Sequence, residues 1–374
     1  MTTEHIETAI IGAGQAGLAT AYHLRQRGRP CLILDANKQV GDNWRAQWDS
    51  LRLYSPARSD GLPGMPFPAP RWSYPTKDQV ADYLASYAEK FALPVRTLAH
   101  VDRLQAADGR YVLWLGDDRV VAENVVVATG TFGRTPSIPE FALDLDPSIR
   151  QLHSCEYRRP EQLKPGPVLV VGASHSGTDV AFEVAPTHPT ILAGRDPGQM
   201  PVRLDHWSVR VVFPIFLFLG QHVITRRTPI GRKAMPEIRS HGGPMLRVKR
   251  ADLRARGVER VLARVTGVQD GRPVLDDDRV LNDVTNVVWC TGFRQVFDWI
   301  DLPIFGADGW PREFRGVVPE APRLFFCGLA FQYAFSSTVL AGVGRDAAYV
   351  AQQIDARSER FVRSRRLSPV ARNL

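Results

Sequence analysis

The chain has 374 residues, more than one core usually fills, so two globular domains are expected. Hydrophobic content of 44% and charged content of 23% exclude a disordered or fibrous chain, and four scattered cysteines with no C-x-x-C pair exclude a disulfide scaffold, a zinc ribbon and a dithiol redox centre. The net charge of +8 raises nucleic acid as a partner, but residues 356–374 alone hold six arginines against Glu359, so the excess reads as a solvated tail and no nucleic-acid partner is expected.

A strand-like run begins at Glu7 with no basic-then-apolar leader before it, which predicts a cytoplasmic protein. Residues 8–11 read as a buried strand, followed by Gly12-x-Gly14-x-x-Gly17, a helix to about Gly28, and a second strand over 31–34 ending at Asp35. Gly12 permits the tight turn, Gly14 lets backbone approach a pyrophosphate, and Gly17 lets helix and strand pack closely. A pyrophosphate then sits at the helix N-terminus, where unpaired N–H groups favour negative charge. Asp35 stands 18 residues after Gly17, where a carboxylate meets a ribose hydroxyl.

Residues 55–75 hold six prolines interleaved with Met65, Phe67, Trp72 and Tyr74, predicting an ordered loop packed over apolar surface. Thr76-x-x-Gln79 has the capping-box pattern, and Val80, Tyr83, Leu84, Tyr87 and Phe91 follow at helical spacing as a core stripe. Residues 95–115 alternate like short strands, and Asn124 to Gly130 reads as a buried strand ending in a small-residue turn. A second nucleotide unit then begins. Its strand covers 168–171, the loop runs Gly172-Ala-Ser174-His-Ser176-Gly177, and a helix follows to about Ala185.

The next strand, 190–193, ends at Arg195, again 18 residues past the last glycine. Arginine there pairs with a 2′-phosphate through charge-assisted hydrogen bonds, whereas Asp35 accepts from a free 2′-hydroxyl. Ser174 replaces the middle glycine and is small enough for close backbone approach. The apolar run 211–219, broken by Pro214, is too short to span a bilayer; it could line a substrate pocket, but plain core or a dimer contact is the favoured reading. Asn286 to Gly292 repeats the Asn124–Gly130 element. Ser336, Ser337 or Thr338 is placed to cap a closing helix over 339–354, whose positive end would face a bound flavin.

Two nicotinamides have nothing to exchange, whereas a nicotinamide donor beside a flavin acceptor does. FAD at the first loop and NADPH at the second uses both motifs. The predicted fold is α/β, with two Rossmann-like dinucleotide-binding domains. Residues 1–160 and 286–374 form the FAD domain, and residues 161–285 form the inserted NADPH domain. His206, His222 and His241 lack ligand spacing, and no metal is expected.

Gly12-Ala-Gly-Gln15-Ala16-Gly-Leu18, Ala-Thr129-Gly130, Val-Gly-Ala-Ser-His-Ser-Gly177 and Trp-Cys-Thr291-Gly292 together resemble the class B flavin-containing monooxygenases. Gly41-Asp-Asn-Trp44, Leu51 to Pro56, and Leu62-Pro-Gly-Met-Pro-Phe-Pro68 look like the compact branch that includes the plant YUCCA-type enzymes. His153-Ser-Cys-Glu-Tyr157 resembles the end of the family fingerprint, although Phe141 precedes it by 12 residues with no glycine between. The resemblance covers about residues 5–354. It implies that NADPH reduces FAD, that reduced flavin takes O2 to a C4a-hydroperoxide, and that this species oxygenates a small organic substrate. It also implies cofactor contacts from the motif residues named above, with water excluded by the 62–74 loop, and a homodimer as the usual arrangement. The asparagine that assists oxygen chemistry in animal relatives has no counterpart, and Ser55 is the nearest hydroxyl.

Two other classes remain open at this level. A flavin reductase passing electrons to a quinone or another acceptor would use the same motifs, although no amphipathic membrane anchor is legible. A non-enzymatic nucleotide-binding module would not need the complete second unit.

Overall fold

A computed structural model describes residues 2–130 and 135–367. Side chains from residue 358 onward, and with them most of the basic tail's arginines, lie outside the described residues. Two sheets carry the fold, the first mixed and the second wholly parallel. In the first, the strand Thr3–Ile11, apolar over its last residues, lies between Leu32–Leu34 and Asp118–Val127, both parallel to it, and Val95–Arg96 pairs with Leu32–Leu34. Strands Arg103–Ala107, Arg110–Leu115 and Asp118–Val127 form an antiparallel meander, with Ile300–Asp301 outside it. Leu324–Phe326 joins beside Asp118–Val127, so the C-terminal part of the chain returns to the first sheet.

The second sheet has five strands in the order Glu259–Val261, Thr190–Ala193, Val168–Val171, Asn286–Trp289 and Arg150–His153, all parallel. Continuous apolar runs suit such strands because both faces are covered. The sheet reaches past residues 161–285 on either side, since Arg150–His153 and Asn286–Trp289 hydrogen-bond into it. Sequence periodicity marks a strand but not its neighbour, so the edges of the second unit were not visible in it.

Helix Lys77–Lys90 starts at the expected capping box: Thr76 Oγ1 accepts from Gln79 N–H, and Gln79 Oε1 accepts from Thr76 N–H. Its stripe Val80, Tyr83, Leu84 and Tyr87 is buried against helix Gln15–Gln26 in one core that also takes in Leu62 and Phe67. Burying each such side chain is worth about 1.5–3 kcal/mol. The Tyr83 hydroxyl accepts from Leu62 N–H and donates to Met65 C=O, while Tyr87 donates to Pro63 C=O, so the proline-rich loop is pinned to this helix. The closing helix runs Leu340–Leu367, longer than expected, with Val343, Ala347, Val350 and Ile354 facing the same core.

Helix Val209–Phe218 departs from the reading of this run as plain core. Val211, Ile215 and Phe218 face outward at 58%, 56% and 58% exposure, while Phe216 packs inward on Phe335. Its outer face is an apolar surface stripe, which is compatible with a contact surface and not with core. Among the described residues no helix is long and apolar enough to cross a membrane.

Candidate functional site

The two glycine loops are built alike and sit under matching turns. A Cβ on Gly12 would lie 2.6 Å from Ala128 C=O, and one on Gly172 would lie 2.4 Å from Cys290 C=O. Gly12 and Gly172 hold φ of +108° and +102°, a region that L side chains rarely adopt. A Cβ on Gly17 would meet Gly12 C=O at 1.9 Å, and one on Gly177 would meet Gly172 C=O at 1.7 Å. Each third glycine therefore permits close packing of helix on strand, as the spacing predicts. Gly14 differs: nothing lies within 4 Å of its Cβ position, so backbone there is open to a ligand.

The symmetry extends to the turns. Asn124–Val127 runs beside Thr8–Ile11, and Asn286–Trp289 runs beside Val168–Val171, so Thr129-Gly130 and Thr291-Gly292 emerge at equivalent places above the two loops. His153, fully buried, braces the second turn: its Nε2 lies 3.0 Å from Gly292 C=O and its Nδ1 lies 3.1 Å from Cys155 Sγ. Burial lowers the His153 pKa and raises that of the Cys155 thiol. This histidine is a bracket for the turn.

The acid and the base at the strand ends have different surroundings. Asp35 is buried, and its carboxylate accepts from Ala13 N–H at 2.6 Å and from Asn37 N–H at 2.8 Å. Each oxygen keeps a lone pair for a ribose hydroxyl. Arg195 is exposed at the end of Thr190–Ala193. Arg260 pins that strand end by donating to Leu192, Gly194 and Arg195 C=O, and Arg250 pairs with Asp196 beside it.

Both helix starts suit an anion. Gly14 and Ser174 occupy the N-cap positions, the first turns hold no acidic residue, and neither start is capped by a side chain among the described residues. Their leading N–H groups are therefore free to bind phosphate. Ser174 Oγ instead donates to Gly243 C=O at 2.7 Å, drawing the 241–244 segment over the second loop. Ser176 lies in the first turn of helix His175–Val184, half-buried. These features fit a dinucleotide with an unphosphorylated ribose, FAD, at the first loop and NADPH at the second.

Other expected cofactor residues divide by environment. Gln15 Nε2 donates to Thr338 C=O at 2.7 Å, tying the first loop to the segment before the closing helix. Ala16 abuts Gly328, whose added Cβ would lie 2.8 Å from Ala16 Cβ. Gly41 has φ +92° and a Cβ position 2.5 Å from Ala81 C=O, so packing against helix Lys77–Lys90 already demands glycine there. Trp44 packs partly buried at the edge of both cores, next to Trp48 and Leu51 in one and Val80 in the other. The expected cap of the closing helix takes another form. Ser337 Oγ accepts from Tyr333 and Ala334 N–H, stabilising the preceding turn Phe335–Thr338 instead. Ser336 Oγ is buried with no partner among the described residues, an orphaned hydroxyl on the segment that Gln15 contacts.

The proline-rich loop bridges the two units. Tyr54 OH donates to Asp179 Oδ2 at 2.8 Å, Arg247 reaches the same oxygen at 2.9 Å, and Tyr74 OH donates to Leu204 C=O. Tyr54 and His175 rings lie 5.2 Å apart. Burial pushes the Tyr54 hydroxyl up, reinforced by the Asp179 charge. Next to this bridge, Ser55 Oγ donates to Asp60 Oδ1 at 2.5 Å. Asp60 is 1% exposed, and its Oδ2 has no partner among the described residues. Burial raises its pKa to about 7, with the Ser55 hydrogen bond opposing. Sequence reasoning reached Ser55 but missed Asp60, because an aspartate followed by glycine in a loop reads as turn chemistry.

Residues 9–198 match the family described as pyridine nucleotide-disulphide oxidoreductase. The chain is 34% identical over 359 residues to an uncharacterized CzcO-like oxidoreductase of Geobacillus kaustophilus, covering 93% of this chain and 98% of that one. It is 28% identical over 378 residues to the probable indole-3-pyruvate monooxygenase YUCCA9 of Arabidopsis thaliana, covering 92% and 88%. A flavin-containing monooxygenase structure from Stenotrophomonas maltophilia superposes with a TM-score of 0.73 at 28% identity, covering 95% of this chain and 99% of that one. The chain belongs to the class B flavin monooxygenase-like family.

Proposed function

We propose that this chain is an NADPH-dependent FAD monooxygenase acting with O2 on a small organic substrate. The observation that carries the reading is the pair of equivalent dinucleotide cradles ending in opposite charges, Asp35 in the first and Arg195 in the second. Gly12, Gly14, Gln15, Ala16, Gly17, Asp35, Gly41, Trp44, Thr129 and Gly130 would hold FAD. Gly172, Ser174, Ser176, Gly177, Arg195, Thr291 and Gly292 would hold NADPH. When bound, NADPH supplies a hydride and FAD supplies the O2-activating chemistry.

The chain's own residues then position, exclude water and handle protons. The helix N-termini orient the two pyrophosphates, and Arg195 selects the 2′-phosphate. The loop pinned by Tyr83 and Tyr87 keeps water from the region between the units. Asp60, poised near neutrality by burial, would hold or release a proton through Ser55. The chain divides in this reading into an FAD domain over 1–160 and 286–374 and an inserted NADPH domain over 161–285; two separate sheets support a two-part division, although strands Arg150–His153 and Asn286–Trp289 pair into the second sheet.

The test is anaerobic reduction by one equivalent of NADPH, followed by rapid mixing with oxygenated buffer. A transient that precedes return of oxidised flavin, and that decays faster with substrate, supports oxygenation. Direct reoxidation under every substrate tried, with electrons passed to an added quinone, would replace this reading with a reductase. A thiol-based reductase is not favoured, because burial pushes the Cys290 and Cys327 thiols up to about 12, away from the reactive thiolate.

A further inference from the structure

Trp207, Val211, Ile215, Phe218, Leu219 and Ile230 all stand 40% exposed or more within one short stretch of chain. Val211, Ile215 and Phe218 recur at helical spacing, so they share one face of Val209–Phe218, and the exposed Trp207 lies in the turn just before the helix. Contiguous apolar surface of this kind marks an interaction site. The inner side of the helix is committed: Phe216 packs on Phe335, and Phe335 N–H donates to Ile224 C=O. The outer face is therefore held rigidly outward, next to the segment that also contacts Gln15.

The charge around the stripe is one-sided. Residues 207–240 contain five arginines and one lysine against Glu237 alone. Arg210, Arg227, Arg232 and Lys233 are exposed, whereas Arg226 and Arg239 turn inward to the buried Glu313. The acids nearest this rim are engaged: Glu237 lies 3.2 Å from His241, and Asp205 pairs with Arg203. An outward apolar helix face with exposed cations in the flanking sequence is the chemistry of a segment lying in the interface of an anionic bilayer. A second copy is a poor occupant, because an isologous contact would bring the same cations face to face.

We infer that this face docks the protein peripherally on an anionic lipid surface, with Val211, Ile215 and Phe218 entering the headgroup boundary and Arg210, Arg227, Arg232 and Lys233 contacting lipid phosphates. Docking is independent of the proposed reaction, since it is read by binding alone. The experiment is co-sedimentation of the full chain with phosphatidylcholine vesicles and with vesicles containing about one-third phosphatidylglycerol. The expected result is partition onto the anionic vesicles only, weakened by salt, and reduced roughly tenfold or more in the double variant Ile215→Glu/Phe218→Glu. The pair Ile215→Ser/Phe218→Ser reads the same face if the glutamate variant fails to fold, as judged by thermal melting. No sedimentation with either vesicle overturns the proposal. Undiminished binding by the folded variants also overturns it, placing attraction on charge elsewhere, such as the tail. A concentration-dependent dimer abolished by the same substitutions would assign the face to a second copy instead.

Discussion

The Ser55 hydroxyl donates to Asp60 Oδ1 at 2.5 Å while the carboxyl's other oxygen has no partner among the described residues. A carboxyl this buried is better satisfied protonated, and burial raises its pKa from 3.8 to about 7. Between those values the folded chain keeps a proton that the unfolded chain has released. Stability contributed by this group is thus full at acid pH and falls as pH rises through that window. Asp60→Asn removes the dependence and keeps an acceptor for Ser55. Urea denaturation should find the variant more stable than wild type at pH 8, by at most about 4 kcal/mol, and the difference should vanish near pH 4. Equal pH dependence in the two proteins would refute the assignment, and an inflection near neutrality in NADPH oxidation should flatten alongside.

Gly172 and Gly12 are equivalent in form, so the same substitution should separate the two cofactors. Gly172→Ala drives a methyl into Cys290 C=O at 2.4 Å and strains a positive φ. It should weaken NADPH binding by tenfold or more, at a stability cost of about 1–3 kcal/mol, while flavin remains bound. Gly12→Ala should instead yield protein purified without flavin. Absorbance of the purified variants and anaerobic NADPH titration decide both, and loss of flavin from Gly172→Ala would reverse the assignment of the loops.

Arg195 stands exposed at the end of its strand, where removal disturbs no packing. Arg195→Ser should lower kcat/KM for NADPH by roughly 10- to 100-fold, the worth of a charge-assisted hydrogen bond, and leave NADH nearly unchanged. An equal fall with both nucleotides would mean that the 2′-phosphate is read elsewhere.

Asp179 is buried and shares one oxygen between Tyr54 and Arg247. Arg247→Met leaves that carboxylate without its cation, and burial already raises its pKa. The expected loss is about 3–5 kcal/mol, against about 1 kcal/mol for Tyr54→Phe, which removes one hydrogen bond. Thermal or urea melts compare the two. A larger loss in Tyr54→Phe would make the Tyr54 hydroxyl, rather than the Arg247 cation, the main partner of the buried carboxylate.

The two glycine loops, Asp35, Arg195, the Thr76 capping box and the Asn124 and Asn286 strands were all legible in the sequence. Each depends on local constraints: a positive φ, a helix start or an apolar period over a few residues. What the sequence could not decide is which side chains meet. Gly41 carries a motif spacing, yet its glycine is required by the approach of Ala81, a contact made only when a distant helix docks. Ser337 turns back onto Tyr333 and Ala334 rather than capping the closing helix, because its neighbours satisfy it first. Asp60 looks like a turn residue until Tyr83 and the proline-rich loop bury it, and the apolar face of Val209–Phe218 looks like core until the fold leaves it outside. Periodicity names the face of an element, but desolvation and partner identity belong to the packed chain, and those set the charge of Asp60 and the exposure of Ile215.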